Sequence, residues 1–148
     1  MDIEANSAIM GGEIALFQVG EMLCGVDTLH VREINQNTDI TKVYRAPDYV
    51  RGVINLRGEI VTVIDLRSKF DLNIIEINED MQIVVVRHED ENIGLLVDLM
   101  HDVVTANSER TGPPPSNVGG VPGTYFAGIF QMDKELVAIL DLTELLKK

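Results

Sequence analysis

Apolar and polar residues alternate along most of the chain in short runs, the period-two pattern of strands with one buried face. Glu13 to Gly20 carries Ile14, Leu16 (or Phe17) and Val19 and predicts a strand that turns at Gly20-Glu21 and returns over Met22 to Val26. Asp27 to Ile34 places Leu29, Val31 and Ile34 as a short helical turn running into a strand would. Asn35 to Asp39 is polar loop, and Ile40 to Tyr44 alternates as a short strand before Pro47 ends regular pairing. Val50 to Ile54 and Ile60 to Ile64 are rich in β-branched residues and predict a hairpin around Leu56-Arg57-Gly58. Gly58 can take the positive φ that a tight hairpin wants. Asp65 then stands before Leu66-Arg67-Ser68-Lys69-Phe70 as a candidate helix N-cap.

The second half follows the same plan. Ile83 to Val86 is a buried-strand run, His88 to Asn92 a polar turn, and Ile93 to Val97 the return strand. Residues 112–123 hold eight Gly or Pro in 12 positions and predict a long loop with no capacity for a strand ladder. Tyr125 to Phe130 and Leu136 to Leu140 form another hairpin, and Leu142 to Lys148 a short terminal helix. Two spacings recur: Gly25 to Ile34 equals Gly94 to Val103, and Gly52 to Asp65 equals Gly128 to Asp141. Two β modules of about 70 residues are implied, barrel-like because closure removes exposed strand edges. Asp65 and Asp141 occupy one slot and read as helix caps, Asp141 with Glu144 having the capping-box form. At the hairpin tip the copies differ, Arg57-Gly58 against Asp133-Lys134. A turn is needed there, an arginine is not, so Arg57 points to a partner.

Composition narrows the function. No run approaches the roughly 20 apolar residues of a membrane span, and the acidic start is unlike a signal peptide. The single Cys24 suits a reducing cytoplasm and sits in an apolar run, as a buried small hydrophobe would. A net charge of −12 argues against nucleic acid, as does the scarcity of stacking aromatics. Residues 42–69 nevertheless carry half of the 12 basic residues, Lys42, Arg45, Arg51, Arg57, Arg67 and Lys69, and are net +3. That window is either a solvated mixed surface or a local basic face for an acidic partner. His30, His88 and His101 are isolated from metal-ligand neighbours. Ser68 and Ser108 lack a nucleophile context, and the 112–123 loop lacks the Gly-Lys-Ser/Thr of a phosphate cradle. No enzyme, metal or cofactor is expected. Glu33 is either a surface acid or the anionic rim of an apolar groove walled by Thr28, Val31, Met100 and Val103.

The stretch Pro47-x-Tyr-Val-Arg-Gly-Val-Ile-Asn-Leu-Arg-Gly-Glu-Ile-Val-x-Val-Ile-Asp-Leu-Arg67 resembles the signature of the CheW family of bacterial chemotaxis coupling proteins. The resemblance runs from about Ala15 to Leu146 and includes Val31-Arg-Glu-Ile34, Ile93 to Asp98 and Ala127-Gly128. It implies a mainly β fold of two pseudo-repeated, intertwined, five-stranded SH3-like barrel subdomains with short helices. Residues 1–12 would be a flexible tail and 13–148 the CheW-like domain, with subdomains near 20–70 and 80–140 that exchange strands at their ends. The implied role is scaffolding between chemoreceptors and the histidine kinase CheA, in the cytoplasm at membrane-associated receptor arrays. By motif position, Glu33 and Arg57 match residues important for coupling, and Thr28, Val31, Met100 and Val103 fall on the groove that takes the receptor's cytoplasmic tip. Ile40 and Val43 match the surface that meets the kinase's regulatory domain. A CheV-type protein with the same domain is the alternative within the family, though the chain reaches Lys148 without a receiver region.

Overall fold

The computed structural model describes residues 12–147, so most of the expected 1–12 tail lies outside the described residues. The chain divides into two compact units, one built from the segments up to Leu29 and from His101 onward, the other from His30–Met100.

The second unit holds β3 (Val31–Asn35), β4 (Val50–Leu56), β5 (Glu59–Asp65), β6 (Gln82–His88) and β7 (Glu91–Val97) in the order β3-β6-β7-β5-β4. The first holds β1 (Glu13–Val19), β2 (Met22–Asp27), β12 (Phe126–Met132) and β13 (Glu135–Leu140). With β8 (Leu99–Thr105) they run β8-β1-β2-β13-β12, and the two-residue β9 (Thr111–Gly112) adds to the edge. The two orders correspond strand for strand, and so does their chemistry. In each sheet one pair is parallel, Thr62 opposite Ile93 and Ala138 opposite Cys24, and these residues are equivalent in the repeat. Each hairpin carries an irregularity one residue before its glycine, between Val50 and Gly52 and between Phe126 and Gly128. The Asp65 amide donates to the Tyr49 carbonyl as the Asp141 amide does to Tyr125. The fold is mainly β and pseudo-repeated, and it is intertwined because β13, near the end of the chain, pairs with β2 near its start.

Alternate positions face opposite sides of each sheet, and in β1, β2, β6, β7 and β13 both sides are buried over four or five consecutive residues. Ile14, Leu16, Leu23, Phe130, Val137 and Ile139 form one core, and Ile54, Val61, Val63, Met81, Ile83, Val85 and Leu96 the other. Both aspartates cap short helices, α1 (Leu66–Lys69) and α2 (Leu142–Leu145), by accepting from the Arg67 and Glu144 amides. The capping box at α2 is half made: the Asp141 amide goes to Tyr125, and the Glu144 carboxylate pairs with Lys147 instead.

Three expectations need correction. Ile40 to Tyr44 is not a strand, because only Thr41 bridges to Val53. Tyr44 is 95% exposed and has no face to pack on, and Arg45, at φ 61°, turns the chain out of an extended path. Residues 112–123 do form ladders. Gly112 pairs with Ile129, and β10 (Asn117–Val118) and β11 (Val121–Pro122) make a small hairpin. Gly119 and Gly120 both take positive φ at its turn, and the Asn117 side chain accepts from the Gly120 amide. The terminal helix ends at Leu145, short of the expected Lys148.

Candidate docking surfaces

The basic window of residues 42–69 is not a free basic face. Arg51 Nη1 lies 2.6 Å from the Asp65 carboxylate, which is only 2% exposed. Arg67 donates to both oxygens of Asp98, from Nε at 2.9 and 3.0 Å and from Nη2 at 2.7 Å. These bonds hold the Arg67 pKa above its ordinary value. Lys69 stands 4.1 Å from the centre of the Tyr49 ring, and burial pulls its pKa below the ordinary lysine value. Half of the positive charge is spent inside the unit, and Lys42 and Arg45 are the exposed remainder outside the hairpin tip.

At that tip the picture changes. Arg57 and Gly58 have φ of 54° and 85°, the two positive values of a type I′ hairpin turn, whose twist matches that of the strands. Gly58 donates to the Asn55 side chain, which fixes the turn. Arg57 is thereby presented with its side chain 84% exposed, and its Nη2 lies 3.1 Å from Glu33 Oε2 on β3. Two residues proposed for coupling thus meet in space. In the second copy, the positive-φ residues do not include Asp133 or Lys134, so that tip has another turn geometry.

Ile40 and Val43 fall together on the wall of an open hollow of about 1270 Å³, bounded by residues 40–51 and 68–77 of the second unit. Ile40 packs against the unit's core, while Val43 is 39% exposed. The remaining expected residues are placed unit by unit. In the first, Thr28 opens a single 3-10 turn and is half-buried, and Val103 on β8 is 50% exposed. In the second, Val31 on β3 and Met100 on β8 are half-buried. Ile34 and Val103, equivalent in the repeat, are both exposed apolar residues on edge strands.

Sequence reasoning missed Tyr44 and Ile74, exposed apolar residues that both line the hollow. It also missed the internal work of Arg51 and Arg67. A signal was present, because the second copy has Ala127 and Thr143 in their places. Among the described residues no cluster of three or more His, Cys, Asp or Glu is arranged to hold a metal, and no helix is long and apolar enough to cross a membrane.

The description "CheW-like domain" fits residues 13–148. The chain is 31% identical to the chemotaxis protein CheW of Klebsiella aerogenes over 137 residues, covering 93% of this chain and 82% of that one. It is 33% identical to the chemotaxis protein CheW of Helicobacter pylori, covering 89% and 79%. Among solved structures, the scaffolding protein TtCheW of Thermoanaerobacter tengcongensis superposes with a TM-score of 0.85 at 31% identity, over 93% of this chain and 88% of that one.

Proposed function

The chain belongs to the family of CheW-like domains, and from that premise we propose that it is a chemosensory coupling scaffold. It joins the cytoplasmic tips of transmembrane chemoreceptors to a histidine kinase of the CheA type, at membrane-associated arrays, and performs no chemistry of its own. What carries the reading is the hairpin tip. The stretch that resembles the family signature folds so that Arg57 stands 84% exposed in a left-handed conformation, beside Glu33. A buried core gains nothing from such a residue, whereas a partner can use it.

In this reading the receptor's helical tip lies against Thr28, Val31, Met100 and Val103, the last three as apolar anchors in the helix-in-groove manner. Glu33 and Arg57 supply the charged rim. Ile40 and Val43 meet the kinase's regulatory domain. Signal passes because receptor states differ in how well they fit the joined surfaces; a ligand that stabilised all states equally would shift nothing. Individual contacts can be weak where many linked copies add avidity.

Titration against the kinase regulatory domain and against a receptor tip from the same organism tests this. Dissociation constants on the order of micromolar are expected. Val43→Asp weakens the first alone and Val103→Asp the second alone. No binding of either partner at about a hundredfold higher concentration overturns the proposal.

A further inference from the structure

Between α1 and β6 the chain runs for a dozen residues, Phe70 to Met81, with no strand of its own. Such a segment should wander, because it makes no ladder. Here it is tied at successive points. The Leu72 amide donates to the Arg67 carbonyl at 2.7 Å. Arg67 Nη1 donates to the Asn73 carbonyl at 3.0 Å, and Arg51 Nη2 to the Ile75 carbonyl at 3.0 Å. Ile75 and Ile77 pack against the unit's core, which turns Ile74 outward at 52% exposure.

Both arginines use the same device. One part of the guanidinium is held by a carboxylate inside the unit, Asp65 for Arg51 and Asp98 for Arg67, and another reaches a backbone carbonyl of the segment. A planar fork donates from separate nitrogens in fixed geometry and so spans both acceptors, whereas a lysine donates from one nitrogen only. Leu72, Asn73, Ile74 and Ile77 of the segment line the same hollow as Ile40, Val43 and Tyr44.

We propose that residues 72–77 are a strap forming the second wall of the kinase-docking surface, with Arg51 and Arg67 as its positioning residues and Ile74 as its contact. This rests on the reading that Ile40 and Val43 meet the kinase's regulatory domain. The partner's apolar residue enters the hollow that Tyr44 and Ile74 both line, and the arginines fix the strap before it arrives, so that less ordering entropy is lost on binding. Lys42, Arg45, Asp48 and Asp71 line the same hollow with charges of both signs, so the strap acts through shape and apolar contact rather than net charge.

The test measures binding of the kinase regulatory domain to the intact chain, alongside amide hydrogen exchange over residues 72–77. Val43→Asp reports on the underlying reading, and if it binds normally that reading fails. Ile74→Asp, at an exposed position, is expected to weaken binding about tenfold with the fold intact. The double variant Arg51→Lys/Arg67→Lys keeps both charges while removing the second arm of each fork. It is expected to speed exchange over 72–77 and to weaken binding severalfold, mainly through slower association and faster release. If Val43→Asp loses binding while Ile74→Asp stays within twofold of wild type, the strap is not a contact. If exchange speeds up in the double lysine variant with affinity unchanged, the arginines serve stability alone. Either result overturns the proposal.

Discussion

Glu33 and Arg57 are ion-paired at 3.1 Å although β3 and the β4–β5 hairpin stand at opposite ends of their five-stranded sheet. In a flat sheet β3 and β5 would be about 14 Å apart, three strand spacings. The sheet therefore curls until its far hairpin leans back over its first strand, as a small barrel does. Closure assembles the charged site, and the residues on either side of it are separated by 24 positions of sequence.

An exposed pair of this kind contributes at most about 1 kcal/mol to stability. Arg57→Glu should therefore leave the unfolding midpoint nearly unchanged while receptor and kinase coupling falls. The charge-swapped double variant Glu33→Arg/Arg57→Glu separates two explanations. If the pair mattered only as a pair, the swap would restore function. The reading above expects it not to, because the partners meet reversed charges. Calorimetry and reconstituted kinase activity give the two readouts.

The turn conformation adds a second expectation. A non-glycine residue at positive φ is disfavoured, and Arg57 sits at 54°. Arg57→Gly removes that cost along with the weak ion pair, so the protein should become as stable or more stable, by up to about 1 kcal/mol. Coupling should nonetheless drop. If Arg57 serves a partner, its side chain is what offsets this backbone cost, and a gain in coupling in this variant would contradict that.

Asp65 and Asp141 occupy one slot of the repeat and both cap a helix, yet their removal should differ greatly. Asp141→Ala loses a cap, about 1 kcal/mol. Asp65→Ala also strands the partly buried Arg51, whose carboxylate partner is 2% exposed, and breaking such a pair costs about 3–5 kcal/mol. Denaturant unfolding of the two variants side by side should show this ratio. Equal losses would mean that the Arg51 pairing contributes little.

How much of this was legible in the sequence follows from what kind of atom carries each contact. The repeat was readable because its markers are side-chain identities at fixed spacing, Gly52 and Asp65 against Gly128 and Asp141. The hairpins were readable from β-branched runs broken by glycine. The strap was not, because its acceptors are the carbonyls of Asn73 and Ile75, and every residue has a carbonyl. The β10–β11 hairpin was hidden by its length, since two-residue strands show no alternation. Ile40 to Tyr44 alternates convincingly, but alternation builds a strand only where a second strand lies alongside, and there Thr41 alone finds one. At the docking surfaces, Glu33 and Arg57 were each singled out from the sequence, but their meeting depends on how far the sheet curls.

Gly52 ties the fold to the proposed kinase surface and yields the last prediction. It takes φ 151°, and a Cβ there would collide with the Thr41 carbonyl oxygen and come 2.7 Å from Ile40 Cγ2. The absence of a side chain is what lets Thr41 form its two bonds to Val53, each 2.8 Å, and this bridge holds residues 40–44 against the sheet. Gly52→Ala would push that segment outward by its backbone, which cannot rotate away as a side chain could. Ile40 would leave its place against the core, and Val43 would move with it. The expected result is a loss of about 2 kcal/mol or more in stability. With it, kinase-domain affinity should fall while binding of the receptor tip is retained. Binding titrations of both partners at a temperature where the variant remains folded would check this. Equal loss of both would show that the glycine supports the unit as a whole rather than the Ile40–Val43 surface.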